Sequence, residues 1–139
     1  MKSRTIIRLA VLGLLVLIVT LGCDLFGDDS VSKSERLKQF ESDINNNLSN
    51  VYKNIHPGVA GFEEMRVSSY WAIHFPSEDR SFTVNVSISG NEATGDILSD
   101  NAPDGVGNRT VLFRFKEDGS DVWKIDRIVL DGSTIVPAP

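Results

Sequence analysis

The sequence predicts an α+β domain: two N-terminal helices packed on a curved four-stranded antiparallel sheet. Three observations carry this. Apolar residues recur at intervals of three and four from Leu37 to Ile55, the period of one helix face. From Phe82 onward the period changes to two, as in a half-buried strand. The helical pattern comes first and the strands follow, so the helices cover one face of a meander and do not alternate with parallel strands.

The first helix opens near Ser32. Ser32-Lys33-Ser34-Glu35 has the Ser-x-x-Glu pattern of a capping box, in which each side chain satisfies a backbone amide of the other's residue. Leu37, Phe40, Ile44, Leu48, Val51 and Ile55 then form one stripe. Asn45-Asn46-Asn47 is a weak helix centre, because Asn side chains compete for the backbone, but the stripe predicts that the helix runs through it. His56-Pro57-Gly58 ends it. A second, shorter helix is expected over 62–74 and stops before Pro76.

Phe82, Val84, Val86 and Ile88 alternate with Thr83, Asn85 and Ser87 as the first strand. Gly90-Asn91 signals a hairpin, and 93–98 returns. After a Pro/Gly-rich loop, Val111, Phe113 and Phe115 mark a third strand, Asp118-Gly119 a turn, and 122–130 a fourth. In that last strand Trp123 and Ile125 share one face while Ile128 and Leu130 share the other. A β-bulge near Asp126-Arg127 would bring all four inward and bend the strand. Trp123 is expected to pack with Phe113, Ile125 and the stripe Leu37/Phe40/Ile44, and 133–139 to form a C-terminal tail.

Upstream of the domain, Lys2, Arg4 and Arg8 precede a charge-free run that ends Leu21-Gly22-Cys23. A basic start, a short apolar stretch and a small residue before the cut define a secretory signal. A spanning helix of about 20 apolar residues would have to include Arg8. Gly22-Cys23, with Leu21 before it, resembles the lipobox of bacterial lipoproteins, although Thr20 stands where that family prefers leucine. The resemblance implies cleavage after residue 22, a diacylglyceryl group on the Cys23 thiol, and a tether over 23–34. The domain would then be 35–132, held outside the cytoplasm at the inner or outer membrane of the envelope. Cys23 is the sole cysteine, so no internal disulfide forms.

The chain has 139 residues and a formal charge of −5. The leader holds three of the fourteen basic residues and none of the nineteen acidic ones, which leaves eleven against nineteen, or −8, for the remainder. Such acidity argues against nucleic acid or anionic headgroups as partners, since both need a basic face.

Tyr70-Trp71-Ala72-Ile73-His74-Phe75 and Trp123-Lys124-Ile125-Asp126-Arg127-Ile128, in this order of elements, resemble the closing helix and terminal strand of the cystatin-like / nuclear transport factor 2-like superfamily. That resemblance implies a conical pocket. It also implies either a non-catalytic module, binding an envelope protein or a small ligand, or a pocket enzyme of isomerase or dehydratase type. In the enzyme reading Asp96 or His74 would be the base and Tyr70 the donor. Tyr70, His74, Asp96 and Trp123 are therefore the candidate pocket residues, and the module is the favoured reading.

Other signals do not support chemistry. His56 and His74, the two histidines, lack partners at metal-ligand spacing, and no cofactor is called for. In the loop from Asp100 to Gly105, Ala102 replaces a calcium ligand. Gly105-Val106-Gly107 precedes no helix that could hold a phosphate.

Overall fold

A computed structural model describes residues 30–76, 81–100 and 107–139. The signal segment and Leu21, Gly22 and Cys23 lie outside the described residues. So does the centre of the loop that begins at Asp100.

The fold is α+β. Helix α1 spans Lys33–Asn46 and α2 spans Ser68–His74, with 3-10 helices at Leu48–Asn54 and Glu64–Arg66. The sheet is an antiparallel meander of five strands in sequence order: β1 Phe82–Ser89, β2 Glu92–Ser99, β3 Asn108–Glu117, β4 Trp123–Leu130 and β5 Ser133–Val136.

The capping box forms as expected. Ser32 Oγ accepts from the Glu35 amide at 3.2 Å, and the Ser32 amide donates to Glu35 Oε2 at 2.8 Å. Leu37, Phe40 and Ile44 are buried. The single long helix is corrected, however: α1 stops at Asn46, and Asn47 has φ −155°. Asn45 and Asn46 turn their amides back onto the carbonyls of Glu41 and Ser42, the backbone competition that weakens helices at such residues. The stripe survives the break because a 3-10 helix repeats every three residues, so Leu48, Val51 and Asn54 stay on one face. Val51 and Ile55 remain fully buried.

The expected helix over 62–74 is also divided. Val67 is extended, with φ −93° and ψ 138°, and it separates the 3-10 turn from α2. The Trp71 indole N–H, donating to the Met65 carbonyl at 2.6 Å, ties the two pieces together.

The sheet has five strands where four were expected, and Ser133–Val136 belongs to it instead of a tail. Asp131 and Gly132 both take positive φ, 49° and 79°, the backbone of a tight hairpin whose twist matches the strands it joins. Two bulges shape the last strands. Arg114 faces Arg127 while Phe115 faces Ile125, so Asp126 is the extra residue on β4. Ile125, Ile128 and Leu130 are all buried as a result. Ile128 faces Val136 while Val129 faces Thr134, which makes Ile135 extra on β5 and buries Ile135 and Val136 together. At the other end of the sheet, a Cβ on Gly95 would sit 2.2 Å from the Asn85 carbonyl oxygen, so only glycine lets β1 and β2 approach there.

The core is centred on Phe40. Its ring meets those of Trp71, Phe75 and Phe113 edge-to-face at 6.2, 5.8 and 5.4 Å, and all four residues are fully buried. Trp123 is not among them. It packs against the core from the rim, half-buried, with Lys33 Nζ 4.0 Å from its ring centroid.

Phe40→Ala therefore costs about 3–5 kcal/mol of unfolding free energy, the range for a truncated core aromatic. Trp123→Ala costs less than half of that. Denaturant titration of the two variants checks the order.

Candidate functional site

Of the four candidate pocket residues, the structure brings Tyr70 and His74 together and separates the other two. Both lie on α2, one turn apart, with ring centroids 5.2 Å apart. Asp96 lies between buried Ala93 and Ile97 in alternation, on the opposite face of the sheet, where it faces Asn85 and Thr110. Trp123 is at the start of β4, beside α1. The Phe40 cluster fills the space between the two helices and the sheet.

The Tyr70–His74 corner also contains Arg109 and Asp131, which sequence reasoning did not single out. Tyr70 O–H donates to the Ile135 carbonyl of β5, and burial pushes its pKa up. Arg109 Nη1 donates to the His74 carbonyl at 2.9 Å, and its Nε to Asp131 Oδ2 at 2.7 Å. Asp131 Oδ1 accepts from the Thr110 amide at 3.0 Å. These bonds clamp the C-terminus of α2 to β3 and to the β4–β5 turn. Arg109 holds the Asp131 carboxyl below its usual range, with the Thr110 amide adding to the effect. Burial, and secondarily the Arg109 charge, pushes the His74 imidazole down. A phenol already donating to a carbonyl is poorly placed to donate to a substrate.

A second cleft, of about 200 Å³, lies on the outer face of the sheet. It is lined by His56, Gly58, Val59, Ala60, Arg114, Lys116, Asp126 and Pro137. Its groups engage one another. His56 Nδ1 accepts from the Gly58 amide at 3.0 Å, which leaves the proton on Nε2 to donate to the Glu117 carbonyl at 3.2 Å. Arg114 forks onto both oxygens of the bulged Asp126 at 2.8 and 3.0 Å, and this bond raises the guanidinium pKa. The arrangement offers Lys116 as a cation to a bound group, but no ring nitrogen or carboxylate oxygen poised for proton transfer. No group of three or more His, Cys, Asp or Glu side chains that could hold a metal occurs among the described residues.

Arg36 was also outside the sequence reading, although it sits one residue before Leu37 in the stripe. It is buried. Its Nε donates to the Trp123 carbonyl at 2.7 Å, and its Nη1 to Gln39 Oε1 and Asn54 Oδ1 at 2.8 and 3.2 Å. Asn54 passes the network on to Asp43 Oδ2 at 2.8 Å. Burial lowers the Arg36 pKa, while the charges of Asp118 and Asp43 oppose that shift. The network satisfies a buried cation and has the character of a structural brace.

Two of the three shifted groups of the α2 corner, His74 and Asp131, set a pH dependence below neutrality. A histidine whose folded pKa lies below its unfolded value of about 6.5 binds its proton more readily in the unfolded chain. Stability therefore falls as pH drops through that value, and the loss is complete below the folded pKa. The carboxyl of Asp131 contributes above its unfolded value of about 3.9, and that contribution is lost as pH falls through the folded one. His74→Gln is expected to flatten the fall in denaturation midpoint between about pH 7.5 and 5.5, and Asp131→Asn to leave this step intact. Urea titrations across this range check both.

Among known proteins, no family model, no curated protein and no solved structure matches this chain.

Proposed function

We propose that this chain is a membrane-anchored lipoprotein of the cell envelope whose exported domain is a non-catalytic binding module. The observation that carries the anchor is the charge-free run ending Leu21-Gly22-Cys23, with Asp24 directly after it. A lipid on Cys23 holds the domain at the inner or outer membrane. Its partner there is an envelope protein or a small ligand, and its net acidity argues against nucleic acid.

The module reading is supported by what the polar groups are already doing. Tyr70, His56, Arg114 and Asp126 are each engaged inside the molecule. The interior is filled by Phe40, Trp71, Phe75 and Phe113. The finer likeness, to the cystatin-like / nuclear transport factor 2-like superfamily, is proposed on the order of elements: helices first, then a bulged antiparallel meander with Trp123–Ile128 in its fourth strand. On this reading the domain is a closed member of that group, with its surfaces left to do the binding.

The wild-type chain is expected to partition into the detergent phase, and Cys23→Ser to move it to the aqueous phase. The mature mass should correspond to a chain beginning at Cys23 plus acyl groups. A mature mass without an acyl increment overturns the anchor. Turnover of a small carbonyl compound by the purified protein, with nothing retained from its own envelope, overturns the module.

A further inference from the structure

We infer that the second half of β1 is an interface at which two copies of this chain pair edge to edge. The observation is an asymmetry in how the sheet's edges are closed. β5, at one edge, is four residues long and is followed by Pro137. Its Ile135 carbonyl accepts from Tyr70. The first half of β4, which β5 does not reach, is covered by Val31 and Ile55. The Trp123 amide donates to the Val31 carbonyl at 2.9 Å, and the His56 amide to the Ile125 carbonyl at 2.8 Å.

β1, at the opposite edge, is closed only halfway. In an antiparallel pair alternate residues turn both main-chain groups away from the partner. In β1 these are Phe82, Val84, Val86 and Ile88. Side chains of α1 stand in for a missing strand at the first two. Asn45 Oδ1 accepts from the Phe82 amide at 2.7 Å, its Nδ2 donates to the Phe82 carbonyl at 2.8 Å, and Glu41 Oε2 accepts from the Val84 amide at 2.7 Å. At Val86 and Ile88 the outward amides and carbonyls have no partner among the described residues. Ile88 is 42% exposed. Beside it runs a groove of about 180 Å³ between β1 and α1, with Leu37, Val84, Val86 and Ile88 as its apolar lining and Lys38 and Glu41 as its charges.

Unpaired main-chain groups next to an apolar groove specify an extended strand as the occupant. A second β1 satisfies that requirement. Phe82–Ser89 contains no charge, no proline and no bulge, the devices by which edge strands ordinarily avoid pairing. Its apolar side chains recur at every second residue. The charges also fit. The chain is acidic overall, yet the groove carries one cation and one anion, so two copies meet there without net like charge. An isologous two-fold contact follows, with its axis through Ser87. The amide and carbonyl of Val86 pair with those of the second copy's Ile88, and the reverse, joining two five-stranded sheets. Ser87 then faces its own copy as a non-hydrogen-bonded pair, with Cα atoms about 4.5 Å apart, inside the range of about 4.4–6.8 Å that a disulfide bridges.

The test uses the full chain in its envelope. Under mild oxidation Ser87→Cys is expected to give a reducible species of twice the monomer mass. Asn85→Cys and Ser89→Cys, which lie off the axis, give none. The cross-link persists in the Cys23→Ser background, so it is read independently of the lipid anchor. Adding Ile88→Lys, at an exposed side chain, should lower the cross-linked fraction about ten-fold or more. Val86→Pro, which deletes an amide not used inside the sheet, does the same without disturbing the fold. Monomer alone from Ser87→Cys overturns the proposal. So does equal cross-linking at all three positions, or a reducible product whose mass is that of this chain plus a different protein.

Discussion

The Phe40 ring is the contact on which the rest of this structure depends. It is the one aromatic side chain of α1 that touches both α2, through Trp71, and the sheet, through Phe113. Phe75 joins it from the segment after α2 and hands the contact on to Phe82 at the start of β1, at 5.6 Å. Edge-to-face rings at these separations add specific attraction to the apolar area that they bury. A helix of fourteen residues and one of seven are both marginal alone. Each is held by what it buries here, so one ring sets the position of both helices over the sheet.

Polar groups complete what the ring begins. Arg36, one turn before Phe40, reaches the Trp123 carbonyl and, through Asn54, Asp43. One turn after Phe40, Ile44 is buried while its neighbour Asn45 pairs with Phe82. A buried guanidinium is costly unless its donors are matched, so this arrangement favours a single placement of α1 on β4 and β1. Lys33 extends the brace at the helix start, with Nζ 2.6 Å from the Gly90 carbonyl and 4.0 Å from the centroid of Trp123.

The same packing fills the centre of the described fold. Bulges at Asp126 and Ile135 turn extra side chains inward and curve the sheet around the aromatic cluster. The volume between the helices and the sheet is filled by apolar side chains. Polar side chains around that core are drawn into clamps, Tyr70 onto β5 and Arg109 onto α2. Among the described residues, an outer cleft of about 200 Å³ and the bare half of β1 beside its groove are open. Both suit binding.

Much was determined by the sequence alone, because it depends on local period and local chemistry. The capping box at Ser32, the inward stripe of Leu37, Phe40 and Ile44, the four long strands and the bulge at Asp126 all follow from spacing within a few residues. The Asp131-Gly132 hairpin was not read: 133–139 was expected to be a tail, because the strand after the turn is only four residues long and shows too little alternation to stand out. Tertiary structure decided the rest. The helix that the stripe would have continued breaks at Asn47, just after Asn45, whose amide finds a strand edge 37 positions away. Trp123 lost the centre to Phe40 and Trp71 because α1 crosses β4 with Arg36 bonded to the Trp123 carbonyl, and Lys33 covers the indole at the rim. Asp96 was separated from Tyr70 and His74 by sheet parity, a matter of which face the helices cover. Partners so distant in sequence have no local signature, and only the folded chain brings them within reach of one another.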